Sequence, residues 1–285
     1  MKILISVVTY NRLDLLKKLI ESLRNQTFNE RDILVVNNDS NDGTSDWLKN
    51  QNDLIIINQG NTGSSGGQHT AFKYAKDNDY DILWAMDDDV LPEFDCLEKL
   101  LEDYSEDKVI LPLRYGIDGK VFFNETKTYN FSNPFSSLWE KIIDESDLSQ
   151  HLIKVDGPTF EGPLIPLKII KTIGLPDKAF FIFGDDGEFF LRAKKHNYLS
   201  YLSTKARLNR QLEAPKSEIS FGWKEYYAFR NIIILDVLYG NTAVRLLRPI
   251  FYLIKYLSKS RSSDNIKTSF KGFIDGYFYK QEVDY

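Results

Sequence analysis

The sequence predicts an α/β protein: a mostly parallel sheet flanked by helices, followed by a C-terminal helical extension. Two observations carry that class. Over the first 115 residues, short β-branched runs alternate with amphipathic ones, and strands that alternate with helices are joined by crossovers into a parallel sheet covered on both faces. The composition, 42% hydrophobic and 27% charged over 285 residues, is that of a globular chain able to bury such a sheet.

The elements follow in order. "KILISVVTY" reads as a buried strand, and Leu13, Leu16, Leu19, Ile20 and Leu23 then recur at helical spacing. "DILVVNN" is a second strand, and "NDGTSDWLKN" a turn and short helix capped by Thr44 or Ser45. "LIIIN" is a third strand, followed by a glycine-rich loop and a helix through Ala71, Tyr74 and Ala75. "DILWAM" is a fourth strand and "VILPLRY" (109–115) a fifth. Residues 116–155, rich in aromatics, Asn and Ser, read as an excursion on the sheet. Order returns with "PLIPLKIIKTIGLP", with "FFIFGDDGEFFLRAKKHNY" running from strand or loop into a helix, and with a strand in "YLSYLS". From Gly222 onward the chain reads as helices. The domain division expected is 1–221, with a nucleotide-binding half to about 115 and an acceptor and catalytic half from 116, and then 222–285 as the extension.

A net charge of −5 and a pI near 5.4 argue against a nucleic-acid binder. The single cysteine, Cys96, cannot close an intramolecular disulfide, which favours a reducing, cytoplasmic setting. The apolar run at the N-terminus ends at Val8 without a cleavage-type sequence, and no stretch reaches the ~18 apolar residues that span a bilayer.

Three stretches carry chemistry. "LWAMDDDV" places Asp87, Asp88 and Asp89 at the carboxyl end of the fourth strand, where ligands collect in such sheets. In extended backbone Asp87 and Asp89 converge while Asp88 points elsewhere, a pairing that suits Mg²⁺ or Mn²⁺, or else the three form a solvated acidic turn. "FGDDGEFFLRA" contains Asp185, Asp186 and Glu188 among Phe180, Phe181, Phe183, Phe189 and Phe190. Aromatic walls raise a carboxylate's pKa towards that of a general base, although helix capping alone explains one of the three. In "NQGNTGSSGGQHTAFKYA", Gly60, Gly63, Gly66 and Gly67 lie between strand and helix, where bare N–H groups can meet a phosphate or form only a tight turn.

Together "SVVTYNR", "VVNNDSNDGT", "GNTGSSGG", "MDDDV" and the "DDxE" stretch resemble, over roughly residues 1–210, the family 2 inverting glycosyltransferases with the Rossmann-like GT-A fold. The variants look most like the galactofuranosyltransferase and rhamnosyltransferase branch. The resemblance implies that Thr9, Tyr10, Arg12, Asn37, Asn38, Asn61, Gly66, Gly67, Asp87 and Asp88 bind the donor. It makes Asp87 and Asp89 the metal ligands, and Asp186 the catalytic base with Asp185 and Glu188 beside it. Asn37 stands where the family usually has an aspartate for the uracil N3–H, and can accept only through its amide oxygen. Relatives often carry a metal-binding histidine near the place where this chain has Arg210, which leaves one ligand fewer or an arginine on the diphosphate. His69, His151 and His196 do not occupy that place.

The implied function is inverting, Mn²⁺- or Mg²⁺-dependent transfer of a hexose from a UDP-sugar, first UDP-galactofuranose, to a glycan or lipid-linked glycan acceptor in polysaccharide biosynthesis at the cell envelope. A dTDP-rhamnose donor is the alternative. A non-catalytic sugar-nucleotide-binding relative and a glycoside hydrolase, which also pairs carboxylates, are the readings from other classes. Finally, "RLLRPIFYLIKYLSKSR" (245–261) carries five basic residues and no acidic one. It reads as a helix starting near Pro249, lying on the inner face of the cell membrane or packed on the catalytic domain or a second subunit.

Overall fold

In β1 (Ile3–Thr9), Ile3, Ile5 and Val7 enter one apolar layer and Leu4 and Val8 the other. A strand covered on both faces needs a continuous apolar run, which "ILISVV" supplies. α1 (Leu13–Arg24) covers the first face with Leu16, Leu19, Ile20 and Leu23, each contributing about 1.5–3 kcal/mol by full burial. α3 (Gly63–Asp77) covers the second with Ala71, Phe72 and Ala75. The computed structural model describes residues 1–213, 222–260 and 262–285, so the expected boundary at 221 and Arg261 lie outside the described residues.

β2 (Arg31–Asn38), β3 (Leu54–Gln59) and β4 (Ile82–Asp87) join β1 in parallel, in the order β3-β2-β1-β4. α2 (Thr44–Leu48) is capped not by Thr44 or Ser45 but by Gly43, at φ +94°. Asp42 takes the capping bonds instead, accepting from the Thr44 backbone N–H at 3.2 Å and its hydroxyl at 2.6 Å. After β5 (Val90–Pro92) and α4 (Cys96–Glu102), whose first residue is the buried Cys96, comes β6 (Lys108–Tyr115). β10 (Leu164–Pro166) then enters between β4 and β6, antiparallel to both. α5 (Leu167–Ile173), α6 (Asp185–Lys195) and β11 (Leu199–Arg210) follow.

β11 runs parallel to β6 and changes its other neighbour at a bulge between Ser203 and Arg207. Before the bulge β9 (Leu152–Val155) pairs with it, and after the bulge β5 does, setting Arg210 opposite Val90. The excursion of 116–155 contributes β9 to the main sheet and a separate pair, β7 (Thr126–Tyr129) with β8 (Trp139–Ile142).

α7 (Trp223–Tyr239), α8 (Thr242–Lys259) and α9 (Ser263–Tyr277) end the chain. α8 begins seven residues before Pro249, against the expectation that this proline opens the helix. Its start is fixed by Asn241, whose side chain accepts from the Val244 N–H at 2.9 Å. The turn at the proline is held by Arg248, bound to Asp236 through Nε at 2.9 Å and Nη2 at 2.6 Å. These bonds offset the roughly 3 kcal/mol that an interior proline costs.

Candidate active site

The parallel strands β1, β2, β4, β6 and β11 all end on one edge of the sheet. Their last residues bring together Thr9, Asn37, Asn38, Asp87, Arg114 and Arg210. Ligands bind at this edge in open α/β sheets.

β4 stops at Asp87 and the next two aspartates form a turn, so the alternation expected for Asp87 and Asp89 is broken. Asp88 and Asp89 converge instead on Arg12, whose Nη1 donates to them at 3.0 and 2.9 Å. Thr9 Oγ1 donates to the other oxygen of Asp88 at 2.7 Å. Asp87 turns to the buried Gln68, which donates to it at 3.0 Å and keeps its own Oε1 without a partner. Burial, then Asp89, Asp88, Glu161 and Asp185, push the Asp87 carboxyl well above its ordinary range. Gln211 closes the turn, its backbone N–H donating to Asp89 O at 2.7 Å. Tyr10 stands exposed beside this turn's partner Arg12 in the chain.

The glycine-rich stretch is not a loop: Gly63, Gly66 and Gly67 lie in the first turns of α3. A Cβ at Gly67 would overlap Val8, and one at Gly63, where φ is +75°, would collide with the Phe181 carbonyl. These glycines therefore serve the close approach of α3 to β1 and to the segment before α6. Asn38 and Asn61 brace the same turn: Asn38 Nδ2 donates to Gly63 O at 2.8 Å, and Asn61 Oδ1 accepts from the Gly63 N–H at 3.0 Å. Asn37 is buried, its amide donating to Ser45 Oγ and Asn58 Oδ1 and its oxygen accepting from the Ser40 N–H at 3.2 Å.

Asp185 and Asp186 open α6, behind a segment in which Phe181, Phe183 and Gly184 have φ of +65°, +67° and +79°. Positive φ at phenylalanine is strained and persists where surroundings impose it. Here Asn231 of α7 imposes it, its Nδ2 lying within 3.0 Å of the carbonyl oxygens of Phe180, Ile182 and Phe183. The aromatic wall expected around the carboxylates is not formed by Phe189 and Phe190. Both pack into the sheet's core with Phe72 and Phe160, because they lie on the inner face of the helix. Tyr129 is one aromatic group within electrostatic reach of Asp186. Burial raises both carboxyls, Asp185 further still because Asp186 adds its charge, while the Gly187 N–H, at 2.7 Å, and Arg114 hold Asp186 back. Glu188 turns away from the pair. It is fully buried and bound to Arg192 at 2.9 and 3.0 Å and to the Tyr239 hydroxyl at 2.9 Å.

Between the two carboxylate groups lies a network that the motifs did not disclose. Glu161 accepts from Arg114 at 2.5 Å, and Arg210 Nε lies 3.3 Å from the same carboxylate oxygen. Arg114 also meets the buried Glu125 at 2.5 Å, and both guanidiniums lie over the Phe122 ring. Glu161 acts electrostatically on Asp87 and on Asp186, so it links the two groups. Of this network the resemblance had singled out only Arg210; Arg114 had an unused signal in lying near a strand's carboxyl end, and Glu161, Glu125 and Phe122 had none. His69 and His151 are engaged elsewhere, with Pro176 O and Asp103, and His196 ends α6.

Among the described residues no set of three or more His, Cys, Asp or Glu side chains is arranged around a metal position. Asp87 and Asp89 have the carboxylate chemistry that a hard dication takes, with Asp89 held here by Arg12 and Asp87 by Gln68. The groups acting most strongly on Asp87 are all carboxylates, and Mg²⁺-like ions take one or two carboxylates while keeping water or phosphate oxygens.

A family model described as glycosyl transferase family 2 matches residues 4–158. The undecaprenyl-phosphate mannosyltransferase of Micrococcus luteus is 29% identical over 126 residues, 42% of this chain and 51% of that protein. The match thus spans about half the length of this relative. Among solved structures, GalNAc-T7 with UDP, GalNAc and Mn²⁺ has a TM-score of 0.66 at 12% identity, over 95% of this chain and 54% of that one. Residues 1–349 of S. aureus TarS with UDP-GlcNAc have a TM-score of 0.55 at 17% identity, over 97% and 82%. At these identities the two structures share the fold.

Proposed function

Because the chain belongs to glycosyl transferase family 2 and has its GT-A fold, we propose that it is an inverting, metal-dependent hexosyltransferase using a nucleotide-sugar donor. One observation carries the reading: α3 ties the two acidic groups to one place, Gln68 donating to Asp87 while Gly63 and Ser65 pack on Phe181 just before Asp185 and Asp186, and Asp185 adds to the raising of Asp87. Donor would lie over Thr9, Tyr10, Arg12 and the Asp87–Asp89 turn, with Arg210 towards its diphosphate. Asn37 would offer the uracil ring the one lone pair that Ser40 leaves it. The acceptor hydroxyl would lose its proton to Asp186 as its oxygen bonds to the anomeric carbon, and the bond from that carbon to the diphosphate would break. Attack opposite the leaving group inverts the configuration. Asp87 and Asp89 would hold a divalent cation, which when bound would supply positive charge for the departing diphosphate. Asp186 suits the base because burial raises its carboxyl while the Gly187 N–H and Arg114 favour its ionised form.

UDP-galactofuranose is the first donor proposed and dTDP-rhamnose the second, both on the sequence resemblance. The Micrococcus relative's name, an undecaprenyl-phosphate mannosyltransferase, supports a lipid-linked acceptor; a cytoplasmic enzyme of envelope polysaccharide synthesis is proposed on the sequence resemblance. The test is a panel of UDP-galactofuranose, dTDP-rhamnose, UDP-GlcNAc and a mannose nucleotide, scored for Mn²⁺-dependent binding and slow donor hydrolysis. One donor should bind and turn over in wild type and lose both in Asp87→Asn. Binding without turnover in any acceptor extract would favour a non-catalytic nucleotide-binding protein, and no binding at all would remove the transferase reading.

A further inference from the structure

The antiparallel pair α8–α9 carries an apolar face that no described residue covers. Leu246, Ile250 and Ile254 on α8, and Ile266, Phe270 and Ile274 on α9, recur every four residues and are each 42–58% exposed. A spacing of four puts each triplet on one face of its helix. The helices run in opposite directions, so that Leu246 near the start of α8 lines the same cavity as Tyr277 at the end of α9. Each triplet lies opposite the residues that its helix turns to α7, Tyr256 of α8 and Gly272 and Gly276 of α9, and the two triplets make up the apolar strip.

Charge says what meets it. Residues 242–280 carry eight basic and two acidic side chains in a chain whose net charge is −5. Arg248, one of the basic residues expected at a membrane, is withdrawn into its pair with Asp236. Arg245, Lys255 and Lys259 of α8 are exposed beside the strip, while Lys267 and Lys271 of α9, also exposed, pair with Asp264 and Asp275. A second copy pairing through this face would set these cations against their own equivalents. An anionic bilayer accepts both features, apolar side chains among the acyl chains and lysines at the phosphates. No helix among the described residues is long and apolar enough to cross a membrane.

We propose that the α8–α9 hairpin is a lipid-binding surface that lies in the interface of an anionic membrane. This does not depend on the transferase reading. The test is co-sedimentation of the full chain with vesicles of phosphatidylcholine alone or mixed with phosphatidylglycerol. Wild type should bind the mixed vesicles at least about tenfold better, and added salt should release it. Ile254→Glu/Phe270→Glu and, separately, Lys255→Glu/Lys259→Glu should each weaken binding on the order of tenfold. Circular dichroism checks that each variant is folded, and if one is not, the other decides. Absence of binding to mixed vesicles, or equal binding by wild type and a folded variant, overturns the proposal. So does a wild-type dimer that ignores vesicles and dissociates in Ile254→Glu/Phe270→Glu, since the strip would then belong to a second copy.

Discussion

Asp185 and Asp186 are neighbours in the chain, yet substitution should separate their roles. Asp186→Asn keeps the shape and removes the basicity; turnover should fall about 10²–10⁴-fold with donor affinity retained. A wild-type rate would falsify the assignment of the base. Because burial holds this carboxyl above its ordinary range, the acid limb of the rate profile should lie above the usual carboxylate pKa of about 3.9. Asp185 gives a stability effect instead. Its folded-state pKa is raised, so the native state binds its proton more tightly than the unfolded chain does. That contribution is complete below about pH 3.9 and is lost as pH rises through the raised value. Asp185→Asn should therefore melt higher than wild type at alkaline pH, the gap closing on acidification; a gap independent of pH would contradict the sign. Thr9, the three aspartates and the Asp185–Asp186 pair could be read in the sequence because each lies in a short run at a strand or helix end. Glu161 and Gln211 could not, since their partners Arg114 and Asp89 lie 47 and more than 100 residues away in the chain.

At the scale of elements, α3 and the segment before α6 meet at Gly63, where the Ser65 N–H also donates to Phe181 O at 3.2 Å. Gly63→Ala adds a Cβ against a backbone carbonyl as well as a left-handed penalty. It should cost about 1–3 kcal/mol or more in urea unfolding and slow turnover by displacing α6. Gly119→Ala is the control, with φ of +73° and open space around its Cβ; equal losses in both would deny the contact its importance. β1, β2 and β4 were legible because two-sided burial writes them as long apolar runs, and the half-buried edge strand β3 because Leu54 to Ile57 are consecutive apolar residues. β5 and β10 were not, each being three residues long and therefore too short to show any period. The start of α8 was misread because one proline outweighed a cap at Asn241 and an arginine whose partner lies in another helix.

Across the whole molecule, the C-terminal helices are fastened to the catalytic side by buried polar bonds. Besides Asp236, Arg248 reaches Asn130 O at 2.7 Å. Arg248→Ala should cost about 3–5 kcal/mol by leaving Asp236 buried and unpaired. Arg248→Met/Asp236→Leu should recover much of it, and thermal melting of both variants would show whether it does. The position of β10 has a consequence for biosynthesis. β4 and β6 are both synthesised long before the three-residue strand that joins them, whose Leu164 pairs with Trp84 on one side and Ile110 on the other. A ribosome adding about 5–20 residues per second needs roughly 4–16 s to travel from the end of β4 to the end of β10. Throughout that interval the nascent sheet has an apolar edge with unpaired backbone groups, the kind of edge on which chains aggregate. Overproduction should therefore lose more of this protein at the ribosome than to unfolding of the finished chain, and slower synthesis at low temperature should help only if a chaperone holds that edge until residue 166 emerges.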